Sequence, residues 1–307
     1  MAKKLDKEPL FQKKIDKDAL FQNYFETANE ILYLFELIFN INGVWRQFFG
    51  VEPSEHYAFI STKDEKKAKK NVQESSAWKQ LSELYDYAID GIVNDNDPTD
   101  IVIDGAEILS FLKTENKSHA DEWEAVVAQG DGRYALDMGE DILIEKLALL
   151  ANVDIRTVRN AISAGEMAAF KVTGFHPSGL GPGQYIENVS ARNWLHGRRG
   201  FKPTILSAES IGKLEEVSTP AEFAAYLLSQ RKRLGLDTEE NKLVVFHPSV
   251  DVNAISAIET GVFKLPLDAV FPIADFYQLD RKVFLSCVMR VFFSEQLSSI
   301  REIIIAE

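Results

Sequence analysis

The sequence predicts a mainly α, multi-domain helical protein with a small module of helices and a hairpin at its centre. Apolar residues recur at three- and four-residue steps along most of the chain, the spacing of a helix with one face buried. Alternation with a period of two stands out at Phe170–Val172 and Gln184–Ile186, a pair of short strands. At 307 residues the chain fits two or three domains of ordinary size.

The first 16 residues are polar and rich in Lys. Asp16 or Asp18 can cap a long helix from about Ala19 to Asn42, in which Leu20, Tyr24, Ala28, Ile31, Phe35 and Ile38 form a stripe. Phe21, Phe25, Leu32, Leu34 and Phe39 broaden it, which predicts burial on more than one side, in a helical core or a dimer interface. Asn42-Gly43 supplies the stop. The tract STKDEKKAKKNVQESS at 61–76 reads as a solvated helix or loop, and a helical pattern resumes from Trp78 to Ile92. DNDPTD at 95–100 is turn and cap chemistry ahead of the apolar run IVIDGAEILSFL. GDGRYALDMGED at 130–141, rich in Gly and Asp, predicts a boundary. The chain thus divides into an acidic helical domain at 1–135, a central module at 136–205 and a helical domain at 206–307. In the last, Ser207–Val217 reads as helical and Ser218-Thr219-Pro220 as a helix start. Helical periodicity continues to an apolar helix around Leu285–Ile305, interrupted at His247-Pro248, Gly261, Pro266 and Pro272.

A 46% apolar content with 20 Phe and 4 Trp is enough for sizeable cores and argues against global disorder. One cysteine, Cys287, excludes an internal disulfide framework and any multi-Cys metal site, and fits a reducing compartment. The basic start lacks the apolar core of a secretory signal, and no apolar run approaches the roughly 20 residues of a membrane span. A soluble, cytoplasmic protein without membrane contact is expected. The net charge of −13 argues against a surface that coats nucleic acid. That charge is uneven. Residues 1–140 carry 16 Lys and Arg against 27 Asp and Glu, and residues 206–307 carry 10 against 15. Residues 141–205 carry 8 against 5, the one segment whose sign attracts a polyanion.

Within that segment, Leu143, Leu147, Leu150, Val153, Val158 and Ile162 stand where two helices pack across a tight turn at Ala151–Val153. Asp154 stands at an N-cap position and Gly165 at a C-terminal stop. With Val158 and Ile162 inward, Arg156, Thr157, Arg159 and Asn160 face out. Residues of those types on a rigidly held helix suit the base edges of a DNA major groove.

The order of these pieces resembles the winged helix-turn-helix of excisionases and related small regulators. The matching residues are ALLANVDIRTVRNAISAGEMAAFKV and VSARNWL, and the resemblance runs over about 141–202. It implies that Arg156, Thr157, Arg159 and Asn160 approach bases and phosphates, and that Lys171, Arg198, Arg199 and Lys202 rest on backbone phosphates. The segment TGFHPSGLGPG enlarges the wing beyond the family pattern. Residues at about 220–285 resemble in turn the helix-turn-helix of Cro-type phage repressors, through QRKRLGLDTEE, VNAISAIETG and PLDAVFPIADFYQLD. The second helix of that motif would present Asp251, Asn253, Ser256 and Glu259, with no Lys or Arg, so packing or dimerisation is its expected use.

Other signals yield to simpler chemistry. Asp95, Asp97 and Asp100 lack the Gly and Glu of a calcium loop. Gly179 to Gly183 is no P-loop, since no Gly-Lys-Ser/Thr follows. His56, His119, His176, His196 and His247 show no metal-ligand spacing, and no nucleophile context marks an enzyme. Neither cofactor nor metal nor catalytic residue is expected. The sequence therefore predicts a DNA-binding transcriptional regulator of phage or mobile-element type, a homodimer on double-stranded DNA, whose acidic N-terminal domain mediates assembly or contacts a protein partner. The alternative is an adaptor, or a DNA mimic, that uses helix-turn-helix folds for assembly.

Overall fold

A computed structural model describes residues 15–53, 60–94, 96–112, 120–174, 176, 179–196, 198–206, 212–236 and 250–294. The protein is mainly helical and forms two compact units, residues 1–89 with 96–130, and residues 90–95 with 131–307. The residues expected to make separate central and C-terminal domains thus cluster in one unit. Asp95, His56, His119, His247 and most of the segment joining the two halves of the repressor-like motif lie outside the described residues.

In the first unit, Asp16 accepts a hydrogen bond from the Asp18 N–H and starts α1, Lys17–Phe39, which ends at Asn40 with φ 50°. The sequence places the stop at Asn42-Gly43; Asn tolerates the left-handed conformation, so the chain turns two residues sooner. Only the first half of α1 is buried. Leu20, Phe21, Tyr24, Phe25 and Ala28 pack inward, whereas Leu37, Ile38 and Phe39 are exposed, so within one chain the core covers the predicted stripe only in its first half. Helices α2 (Val44–Phe49), α3 (Glu65–Gln73), α4 (Ser76–Tyr85) and α5 (Pro98–Leu112) enclose the buried half. Trp78 meets Phe21 edge to face with ring centroids 4.7 Å apart. Two amides anchor indoles: half-buried Asn29 Oδ1 accepts from Trp45 Nε1 at 2.7 Å, and buried Asn23 Oδ1 from Trp123 Nε1 at 3.2 Å. No helix is long and apolar enough to cross a membrane among the described residues.

Helix α6, Ala120–Asp137, runs straight through the Gly- and Asp-rich stretch expected to be a boundary, and the two units part inside it at Gly130 and Asp131. Its glycines reflect close packing instead of a loop. A Cβ on Gly130 would come within 3.0 Å of Leu84, and one on Gly132 within 3.0 Å of Lys146 and 3.3 Å of Leu150.

The second unit begins with a short strand that the sequence reads as helix, β1 at Ile142–Leu143, then α7 (Ile144–Leu150), α8 (Ile155–Ser163), β2 (Ala169–Val172), β3 (Gly183–Ile186) and α9 (Asn188–His196). The sheet order is β1-β3-β2, antiparallel throughout, with Phe170 opposite Tyr185. Leu147, Val158, Ile186 and Leu195 are fully buried between sheet and helices. The remaining helices are α10 (Pro220–Arg233), α11 (Val252–Ile258), α12 (Val270–Phe276) and α13 (Arg281–Phe292). Thr219 caps α10 with Pro220 in its first turn, as the sequence predicts, and Glu222 completes the cap by accepting from the Thr219 N–H. The expected helix over Ser207–Val217 is absent from its described part, where residues 214–216 form a turn. Pro272 sits in the first turn of α12, where no N–H is missed, so it does not interrupt the chain as expected.

Phe223, Leu227, Ile273, Phe284, Cys287 and Val288 form the core of these helices. Burial pushes the Cys287 thiol up to about 11. The native protein should therefore resist a thiol reagent near neutral pH and react with one equivalent once unfolded. Rapid labelling of the native chain would contradict this packing.

Candidate nucleic-acid interface

The connection between α7 and α8 is built by backbone capping. Asn152 adopts φ 52°, its N–H donates to Leu149 O at 3.0 Å, and the Val153 N–H donates to Ala148 O at 3.0 Å. This pair of bonds closes α7 and reverses the chain within four residues. Asp154 Oδ1 then accepts from the Arg156 N–H at 2.6 Å and opens α8. The same closure ends α8: Gly165, at φ 75°, donates to Ile162 O, and Glu166 to Ala161 O. Behind the turn, Gly200 lies so close that a Cβ there would meet Ala151 O at 2.7 Å. Val158 and Ala161 bury the inner face of α8, and Ile155 and Ile162 flank it half-buried.

Arg156, Arg159 and Asn160 are exposed on the opposite face, at helical steps of three and four, while Thr157 is half-buried at its edge. Lys171 is exposed on β2 and Arg199 after α9. Arg198 is more constrained: its guanidinium stacks 4.0 Å over the Trp194 ring and lies 3.7 Å from Glu166. Lys202 forms an ion pair with Asp90, and its carbonyl accepts from Arg133 at 2.7 Å. Lys146 pairs with Asp131 at 3.2 Å. Of the eight cations of residues 141–205, Arg156, Arg159, Lys171 and Arg199 are exposed without an ion pair among the described residues.

Arg192, which sequence reasoning left without a role, is buried. Its Nε and Nη2 donate to Leu136 O at 3.1 and 2.8 Å, Nη2 reaches Asp137 Oδ1 at 3.2 Å, and Nη1 donates to Thr260 O at 3.3 Å. The other Asp137 oxygen accepts from Thr204 Oγ1 at 2.6 Å, and Arg133 Nη1 also donates to that hydroxyl, at 3.2 Å. Asn188 adds a third anchor, donating to Leu136 O at 3.0 Å and Glu140 O at 2.9 Å. These groups fix α9 against the end of α6 and against the residues after α11.

Lys264, also absent from the expected site, shares a cleft of about 390 Å³ with Arg198, Asn193, Ser190, Trp194 and Glu166. Its ammonium donates to Asn193 O at 3.1 Å. A single Lys in VFKLPLD carries no sequence signal; only the fold brings it beside Arg198. Burial and the nearby Lys264 charge hold the His196 imidazole below its usual pKa, so it adds no positive charge at neutral pH. In α11, Asp251 caps the helix and Glu259 turns inward, accepting from Tyr277 Oη and Arg231 Nε, both at 2.7 Å. Glu259 is therefore not part of an outward face, contrary to the expectation from sequence. Burial, with Glu259 beside it, raises the Tyr277 phenol far above its usual range.

No protein-family model matches the chain, and comparison with curated proteins and with solved structures finds no match. The site is therefore judged on its own geometry. Replacing Arg192 by Met removes one partner of a buried pair, and should cost about 3–5 kcal/mol in a urea titration. Replacing the exposed Arg156 by Ala should stay within about 0.5 kcal/mol of the parent. Equal effects of the two substitutions would contradict the assignment of one to the core and the other to the surface.

Proposed function

We propose that this protein is a DNA-binding regulator of phage or mobile-element type, acting as a dimer through the helix α8. The observation that carries the reading is a fixed helix whose outward face offers Arg156, Arg159 and Asn160, with both guanidiniums free of ion pairs among the described residues. Arg pairs bidentately with guanine and Asn with adenine, and both need a helix held in one orientation. The capped turn and the packing of Val158 supply that rigidity. The strand, helix, turn, helix, hairpin, helix order supports the likeness to a winged helix-turn-helix. Lys171 and Arg199 are suited to phosphates, and Arg198 with Lys264 extends that set across the cleft. Four cations without an ion pair among the described residues give a modest electrostatic attraction, so two copies on a two-fold-symmetric site are needed for useful affinity.

The adaptor reading draws on the 16 cations against 27 anions of residues 1–140, a charge suited to a basic partner. Binding to DNA selected from random sequence separates the two readings. Specific binding should appear with the parent chain and vanish with Arg156→Ala plus Arg159→Ala. Residual non-specific binding by the double variant should lose about two units from the slope of log affinity against log salt. Unchanged affinity and slope in a folded double variant would overturn the DNA reading.

A further inference from the structure

We infer that the exposed end of α1 is the surface on which two copies of this chain associate. This assigns a homodimer contact to a defined place, and it stands independently of the DNA reading.

Helices of water-soluble proteins bury their apolar stripe, and α1 does so only through Ala28. Beyond it, Leu37 is 65% exposed, Ile38 70%, Phe39 59% and Ile41 44%, with Leu34 and Phe35 close behind at 37% and 39%. At on the order of 200 Å² per large apolar side chain, these six leave roughly 600 Å² uncovered. That reaches the upper end of the largest apolar patch on a typical monomer, about 300–600 Å². The patch also continues into a groove of about 390 Å³ between Ile31 and Leu32 of α1, Phe48 of α2 and Ile108 of α5. The patch alone is roughly three-quarters of the ~800 Å² per partner of a stable interface, and the groove adds to it.

The occupant is a second copy for three reasons. The surface combines a projecting ridge, Leu34 and Ile38 one helical turn apart, with an apolar groove beside it on the same helix. Two copies related by a two-fold axis seat each ridge in the other's groove, so one patch completes itself. Charge points the same way. Residues 1–140 carry a net −11, and acidic copies can approach only where charge is absent. Residues 31–42 hold one charge, Glu36, and its Oε1 accepts the Trp45 N–H at 2.8 Å. A lipid surface fits poorly, because helices that lie on anionic membranes carry Lys and Arg on the polar face. Beyond Lys17, α1 carries Asp18, Glu26, Glu30 and Glu36 and no Lys or Arg.

Light scattering on the full chain, without DNA, tests the inference. The parent should show the mass of two chains at micromolar concentration, and Ile38→Glu plus Phe39→Glu should halve it with unchanged helical circular dichroism. Ile38→Leu should keep the doubled mass. A bifunctional maleimide should join pairs of Ile38→Cys chains while leaving the parent unlinked, since Cys287 is buried. This second variant reports on the surface even if the charged one misfolds. A single-chain mass for the parent, a doubled mass for the charged variant, or no cross-link at position 38 would each overturn the inference. Sedimentation of a single-chain form with phosphatidylcholine–phosphatidylserine vesicles would overturn it in favour of a lipid surface.

Discussion

A guanidinium buried without partners destabilises a fold by several kcal/mol, and the second unit buries two, Arg133 at 2% exposure and Arg192 at 7%. Both are tolerated because the chain delivers acceptors to them from separate elements: the carbonyls of Leu136, Lys202 and Thr260, the Thr204 hydroxyl and the Asp137 carboxylate. Arg192 can sit at its depth only if the last turn of α6, the middle of α9 and the turn after α11 occupy their observed places. Packing of Leu147, Val158 and Leu195 supplies most of the apolar burial, but it would tolerate small rotations. The hydrogen-bond geometry around the two arginines tolerates less, and so sets the orientation in which α9 and the turn behind α8 are held.

Such anchoring changes how the charge of the central segment is read. Counting residues gives eight cations, yet Arg192 is internal, Lys146 and Lys202 are paired with carboxylates of other segments, and Arg198 is shared between Trp194 and Glu166. Composition reports formal charge, while a polyanion meets only what is exposed and unpaired. The fold also works in the opposite direction by bringing Lys264 to the cleft that holds Arg198.

What could be read from sequence was local. Asp154, Gly165, Thr219 with Pro220, and the strand pair around Phe170 and Tyr185 act through bonds spanning a few residues, so the local sequence determines them. The outward set on α8 was legible for the same reason, since helical steps alone sort Arg156, Arg159 and Asn160 from Val158. Some misses were local, such as the stop at Asn40 and the placing of Pro272 in a first helical turn, and others were tertiary. Gly130 and Gly132 mark a boundary, and the two units do part at Gly130 and Asp131, but the chain stays helical there, with Leu84 and Lys146 packed close against the two glycines. Ile142 and Leu143 read as helix, but β3 recruits them as an edge strand. Glu259 reads as a surface charge, but Arg231 and Tyr277 draw it inward from elements 28 and 18 residues away. For α1 the stripe was legible, whereas the extent of its cover depended on how far α2 to α5 reach along it.

The turn before α8 has a kinetic consequence. Asn152 is held in the left-handed region, and Gly200 wedges against the Ala151 carbonyl, so α8 has little freedom to relax before or after an encounter. A surface that is already ordered loses little entropy when it docks. For the DNA contact proposed above, encounters would then be governed by diffusion and charge, and changes to individual contacts on α8 would appear mainly in how long a complex lasts. On that reading, residence time, more than capture rate, is what substitutions on the outward face of this helix would change.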